Sequence, residues 1–114
     1  MIVCIPVTSD GQTGPHWGRA SHVALATVSN RQITDWQVIE VGWDATHGRE
    51  AEGSHHARIA RFLRDHDVQV VVANHMGAGM TRMLTTMGIP TMFGAHGDAR
   101  GAVTDAVAVL DESR

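Results

Sequence analysis

Apolar residues along this chain fall into short blocks, and the spacing inside them alternates between strand and helix. Ile2-Val3-Cys4-Ile5-Pro6-Val7 is continuous, as in a strand buried on both faces, with Pro6 expected near its end. Val23-Ala24-Leu25-Ala26-Thr27-Val28 predicts a second strand. After the polar turn Ser29-Asn30-Arg31-Gln32, a third spans Ile33 to Val41, with Ile33, Asp35, Gln37, Ile39 and Val41 alternating against Thr34, Trp36, Val38 and Glu40. Short connections predict an antiparallel meander for these three. Residues 42–53 carry no period and are expected to be irregular.

The spacing then becomes helical. Ile59, Phe62, Leu63 and His66 form the i, i+3, i+4, i+7 set of a helix that starts near Glu50 or Ser54 and ends at His66, with Arg58, Arg61, Arg64 and Asp65 on its wet side. Val68 to Ala73 is a β-branched run of the kind buried in parallel sheets. Met80, Met83, Leu84 and Met87 predict a second helix, closed by Gly88 as a C-terminal cap. Ile89 to Phe93 predicts a last strand. Asp98 is a plausible N-cap for a final helix that turns Val103, Ala106, Val107 and Leu110 inward.

The order β-β-β-α-β-α-β-α defines an α/β fold of one domain, residues 1–114, with a mixed five-stranded sheet covered by helices. The first, fourth and fifth strands are expected to be parallel and the second reversed. That topology carries a geometric consequence. With the first strand running upward, the loop after it, the start of the second strand, the start of the first helix and the ends of the fourth and fifth strands all lie on the top edge. His16, His22, His47, His55, His56, His75 and His96 fall there; His66 falls at the other end. In open α/β sheets ligands bind outside the carboxyl ends of the parallel strands.

The stretch Asp10 to Arg19 is the most informative loop. Its three glycines and one proline forbid a continuous strand or helix, and it holds His16, Trp17 and Arg19. Helix N-termini expected after Gly79 and after Gly97 would aim unpaired N–H groups at the same edge. Imidazoles, Arg19, backbone donors and the thioethers of Met76 and Met80 together suit an anionic, metal-containing or sulfur-containing ligand. Three of these features also have plainer readings. Trp17 can serve as packing support, the methionines at helical spacing can be core, and His55 and His56 lie about 100° apart on a helix, so both cannot address one ion.

Composition narrows the function classes. A chain of 114 residues that is 43% apolar, with one cysteine, fits a single soluble core without disulfides, and a cytoplasmic location is the expectation. No apolar run approaches the ~20 residues needed to span a bilayer, and no export leader stands at Met1. The net charge of -3 argues against general nucleic-acid binding. All nine basic residues are arginine, and eight histidines stand against no tyrosine. No HExxH, CxxC or P-loop pattern occurs, and no Ser–His–acid set or carboxylate cluster falls at a strand end, so an enzyme is not expected.

The Asp10-Gly11 pair, His16-Trp17-Gly18-Arg19, the strand Val68–Ala73, the turn His75-Met76-Gly77-Ala78-Gly79-Met80, and Leu84 with Met87-Gly88-Ile89-Pro90 together resemble the dinitrogenase iron-molybdenum cofactor biosynthesis family, which includes nitrogenase cofactor carriers and the orange protein. The family usually has Phe where Trp17 stands. The resemblance covers nearly the whole chain. It implies a ribonuclease H-like motif without nuclease activity, and binding or carriage of the iron-molybdenum cofactor or a related Mo/Fe/Cu-sulfide cluster, with His16 as a cluster contact. Cluster donor and acceptor proteins would be its partners.

The residues expected to meet the ligand are His16, Trp17, Gly18, Arg19, His75, Met76, Gly77, Gly79, Met80 and His96, with His16, His55, His56 and His75 as candidate metal ligands. Two other readings stay open at this point: a regulatory or scaffold module that binds a protein or small anion at the same edge without metal, and a simple zinc or nickel histidine site.

Overall fold

The computed structural model describes residues 1–46 and 51–112. His47, placed by the topology on the top edge, lies outside them. The elements are β1 (Ile2–Val7), a 3-10 turn (Trp17–Arg19), β2 (His22–Ser29), β3 (Gln32–Glu40), α1 (Trp43–Thr46), α2 (Glu52–Asp65), β4 (Val70–Val72), α3 (Ala78–Thr86), β5 (Thr91–Met92) and α4 (Ala99–Glu112). The sheet order is β3-β2-β1-β4-β5. β1 runs antiparallel to β2 and parallel to β4, and β4 is parallel to β5. This is the mixed α/β sheet that the spacing predicts.

Continuous apolar strands are needed because the sheet is covered on both faces. On one face Cys4, Val23, Leu25 and Val71 pack with Ile59 and Leu63 of α2 and Met80 and Leu84 of α3. On the other, Val3, Ile5, Ala24, Ala26, Val70 and Val72 pack with Ala99, Val103, Ala106 and Val107 of α4. Among the described residues, α2 and α3, with the short α1, therefore cover one face and α4 the other.

Four local expectations need correction. The alternation along β3 is broken: Asp35 pairs with Thr27 but Ile33 pairs with Val28, so Thr34 is an extra residue. The bulge turns Ile33 to the α4 face beside Trp36, whereas Ile39 and Val41 pack on the α2 face. Residues 42–53 are not wholly irregular, because Trp43–Thr46 forms one helical turn. It is anchored by the buried Trp43, whose backbone N–H donates to the carbonyl of Ala20 (3.0 Å).

α3 starts at Ala78 with Gly77 as its N-cap, so Gly79 lies within the first turn. β5 is two residues long and leaves Phe93 exposed, since the chain turns away at Gly94 with φ +83°.

The bottom of the sheet closes on the β2–β3 hairpin. Asn30 and Arg31 both adopt positive φ (52° and 65°), matching the twist of a two-residue hairpin turn. Arg31 Nε donates to Asp111 Oδ2 at 2.7 Å, tying the end of α4 to that turn. The amino group of Met1 donates to the carbonyl of Val28 at 3.2 Å.

Candidate functional site

Three loops meet at the carboxyl ends of β1, β4 and β5. After Val7 the chain folds back on itself. The amide of Gln12 donates to Thr8 Oγ1 (3.1 Å), the amide of Thr8 donates to the carbonyl of Gln12 (2.9 Å), and Gly11 takes φ +79° between them. The Thr8 hydroxyl also bonds Asp10 Oδ1. Gly14 then passes so close to β1 that a Cβ there would stand 3.3 Å from that of Pro6. Only glycine fits without displacing the strand.

The same segment is stitched to the loop before α4. Thr13 N–H donates to the carbonyl of Gly97 (2.7 Å), and Ala99 N–H donates to that of Gly11 (3.0 Å). Asp98 Oδ2 accepts from Gly101 N–H (2.8 Å), which makes Asp98 the N-cap of α4, as the sequence predicts.

The chain next enters the 3-10 turn. The amide of Trp17 reaches the carbonyl of His75 at 3.4 Å, a long bond that sets the His16 loop beside the β4–α3 loop. Asn74 Nδ2 donates to the carbonyl of Ala95 (3.0 Å), joining that loop to the β5–α4 loop, where His96 Nδ1 donates to the carbonyl of Gly94 (3.0 Å). His16, Arg19, His75 and His96 are all exposed on this edge. Gly77 offers no side chain to cap α3 and the first turn holds no acid, so the helix presents its first N–H groups and the positive end of its dipole beside His75.

The remaining candidates play different parts. Trp17 is fully buried, with its ring 5.2 Å from Trp43 in an edge-on contact, and Trp43 meets Phe62 in the same way. It supports the loop from beneath, and its indole Nε1 has no hydrogen-bond partner among the described residues. Met76 and Met80 are also core residues, their burial leaving the thioethers within the cluster beneath α3. Gly18 and Gly79 are half-buried, and Gly77 is exposed.

His55, a candidate metal ligand by sequence, is 5% exposed and turned toward the loop itself. Its Nε2–H donates to the carbonyl of Gly18 at 2.8 Å, and its Nδ1 stands 3.4 Å from Thr46 Oγ1. The nitrogen nearest the site is thus already engaged. His56, one residue on, is half-buried. His22 also lies on the top edge, bonded to Ser21 Oγ (2.9 Å) and 3.7 Å from Glu40. His66 is at the far end of α2, its ring 4.4 Å from that of Phe62 in a tilted contact.

Among the described residues, no three His, Cys, Asp or Glu side chains stand together in a way that would hold a metal ion. Among the described residues, the edge is an open platform of exposed imidazoles, the Arg19 guanidinium and helix N–H groups. Such a surface suits a bulky anion with its own coordination shell better than a bare ion. The sequence did not reveal the Gly18–His55 contact or the Asn74–Ala95 bridge, because each joins residues far apart in the chain with no shared motif.

Comparison with known proteins agrees with this architecture. The crystal structure of PH0822 superposes with a TM-score of 0.76 at 20% identity, over 96% of this chain and 90% of that one. The apo form of the orange protein from Desulfovibrio gigas gives 0.70 at 16% identity, over 98% and 88%. A Thermotoga protein of the DUF35 family gives 0.67 at 19% identity, over 99% and 89%. At these identities the likeness is one of fold. Among curated proteins, none matches the chain. The model of the family described as dinitrogenase iron-molybdenum cofactor matches residues 1–109. A match of that extent means that the chain belongs to the dinitrogenase iron-molybdenum cofactor family.

Proposed function

We propose that this is a small non-catalytic protein that binds or carries a metal–sulfur cluster, either the iron-molybdenum cofactor or a related Mo/Fe/Cu-sulfide cluster, on the edge formed by the loops after β1, β4 and β5. The observation that carries the reading is the Trp17–His75 backbone bond, which puts two exposed imidazole-bearing loops side by side next to the uncapped N-terminus of α3. A sulfide cluster brings most of its own ligands and a net negative charge. It needs from the protein a few nitrogen donors and a positive field rather than a closed cage. His16 and His75 are assigned as the principal contacts, with Arg19 and His96 as further contacts. Family membership supports the cargo class, and donor and acceptor proteins for the cluster follow as partners.

Anaerobic addition of the iron-molybdenum cofactor, or of tetrathiomolybdate with cuprous ion, is expected to give a visible charge-transfer band that follows the protein through gel filtration. His16→Ala should weaken uptake by roughly 10- to 100-fold, and His66→Ala should leave it unchanged. Equal effects from the two would remove the site assignment.

A second reading, a regulatory or scaffold module, draws on one observation. Beside His96 runs a largely apolar groove of about 200 Å³ between β5 and α4, flanked by Phe93 (53% exposed) and Val109 (48% exposed), a surface of the kind used for protein contacts. Elemental analysis of protein purified without oxygen separates the two. Metal with sulfide supports the carrier; persistent absence of both, with no uptake on reconstitution, supports the module.

A further inference from the structure

Among the described histidines of the top edge, His55 stands apart because it is buried and faces the site loop from behind. The carbonyl of Gly18 can only accept, so the 2.8 Å contact requires a proton on Nε2. Nδ1 is then directed to Thr46, whose hydroxyl lies 3.4 Å from it and 3.4 Å from the carbonyl of Trp43. A Cβ added at Gly18 would stand 3.9 Å from Nε2, so even an alanine side chain at this position would only just reach the ring. The turn has no side-chain cap at His16, and its own backbone closure, from Ala20 N–H to the carbonyl of Trp17, is long at 3.3 Å. Beside the Trp17–His75 bond, two contacts from α1 and α2 hold it: the amide of Trp43 on the carbonyl of Ala20, and His55 on Gly18.

We infer that His55 is a positioning residue of the site. It fixes the Gly18 peptide, and through it the direction in which His16 and Arg19 leave the turn, without touching the ligand. This rests on the carrier reading for its consequence, although the latch itself does not. A hydrogen bond that holds a ligand-bearing segment from behind sets ligand orientation, and its loss lowers metal affinity by roughly 10- to 100-fold in other sites.

The test compares His55→Gln, whose amide N–H can occupy the place of Nε2–H, with His55→Leu and His55→Asn, which cannot reach Gly18. Two quantities are read on the full chain: titration with tetrathiomolybdate and cuprous ion, and amide hydrogen exchange over residues 16–20. The Leu and Asn variants should lose at least about tenfold in affinity and exchange faster at residues 16–20, with α4 unchanged. His55→Gln should stay within about threefold of the parent on both counts. If the Leu variant does not fold, the Gln and Asn pair decides alone. Parent-like binding by the Leu or Asn variant, or equal impairment of all three, overturns the inference. A parent chain that takes up no chromophore overturns the carrier reading, and the exchange pattern then still decides the latch.

Discussion

At the scale of single residues, burial decides what each side chain can do. Cys4 sits mid-strand with no exposure, and desolvation pushes its thiol far above the usual range. The folded chain therefore keeps this proton at pH values where the unfolded chain, with a thiol near 8.5, releases it. Below that value the group is pH-neutral for stability. Above it the unfolded state binds fewer protons, so stability falls by about 1.4 kcal/mol per pH unit. Melting temperatures between pH 8 and 10.5 should decline more steeply for the parent than for Cys4→Ala, and parallel slopes would contradict this account. Trp17 gives the complementary lesson. The sequence admitted two roles for its indole, and complete burial against Trp43 makes it a support for the loop rather than part of its surface. His55 was harder to read, since a histidine offers the same atoms to a metal and to a carbonyl and only its surroundings choose between them.

At the scale of elements, what could be read was whatever repeats. Strands β1, β2 and β4 and the buried faces of α2, α3 and α4 each rest on several residues in period, so their placement followed from the pattern alone. The bulge at Thr34 did not, because one extra residue leaves composition unchanged while moving Ile33 to the opposite face. One helical turn at Trp43–Thr46 is likewise too short to show a period, and it forms because Trp43 has a buried seat and a carbonyl to bond. Helix ends were legible where chemistry marks them. Gly88 follows α3 with φ +74°, and Asp98 caps α4. Asp98→Ala is expected to cost about 1 kcal/mol, and Asp98→Asn a few tenths at most. Urea denaturation midpoints check this, and an Asn variant as weak as the Ala variant would assign the effect to charge rather than to the cap.

At the scale of the whole molecule, both apolar clusters are built on the same strands. Val70 and Val72 belong to one and Val71 to the other, so neither half of the core can melt while the other stays intact. Trp36, on the α4 face under Arg100 (4.8 Å), and the Trp17–Trp43 pair on the opposite face report the two halves separately. Emission from Trp36→Phe and from a Trp17→Phe/Trp43→Phe double variant should lose structure at denaturant midpoints as close as each variant's own far-UV dichroism. Separated transitions in either would show two independent units. The location of the candidate site was legible at this scale and no smaller one. Strand order and direction alone sent His16, His75 and His96 to a single edge, whereas the bonds that lock the three loops together needed coordinates.

The anchoring of Met1 and Asp111 has a practical corollary. Met1 is bonded to Val28, and Asp111 is bonded to Arg31 in the hairpin turn beside it, so both lie at the end of the sheet away from His16, His75 and His96. A purification tag, a dye or a linker to a sensor chip, attached before Met1 or beyond residue 112, would leave the loops around His16, His75 and His96 facing outward. On the carrier reading, protein immobilised in this way should take up the tetrathiomolybdate–cuprous chromophore to the same extent as protein in solution.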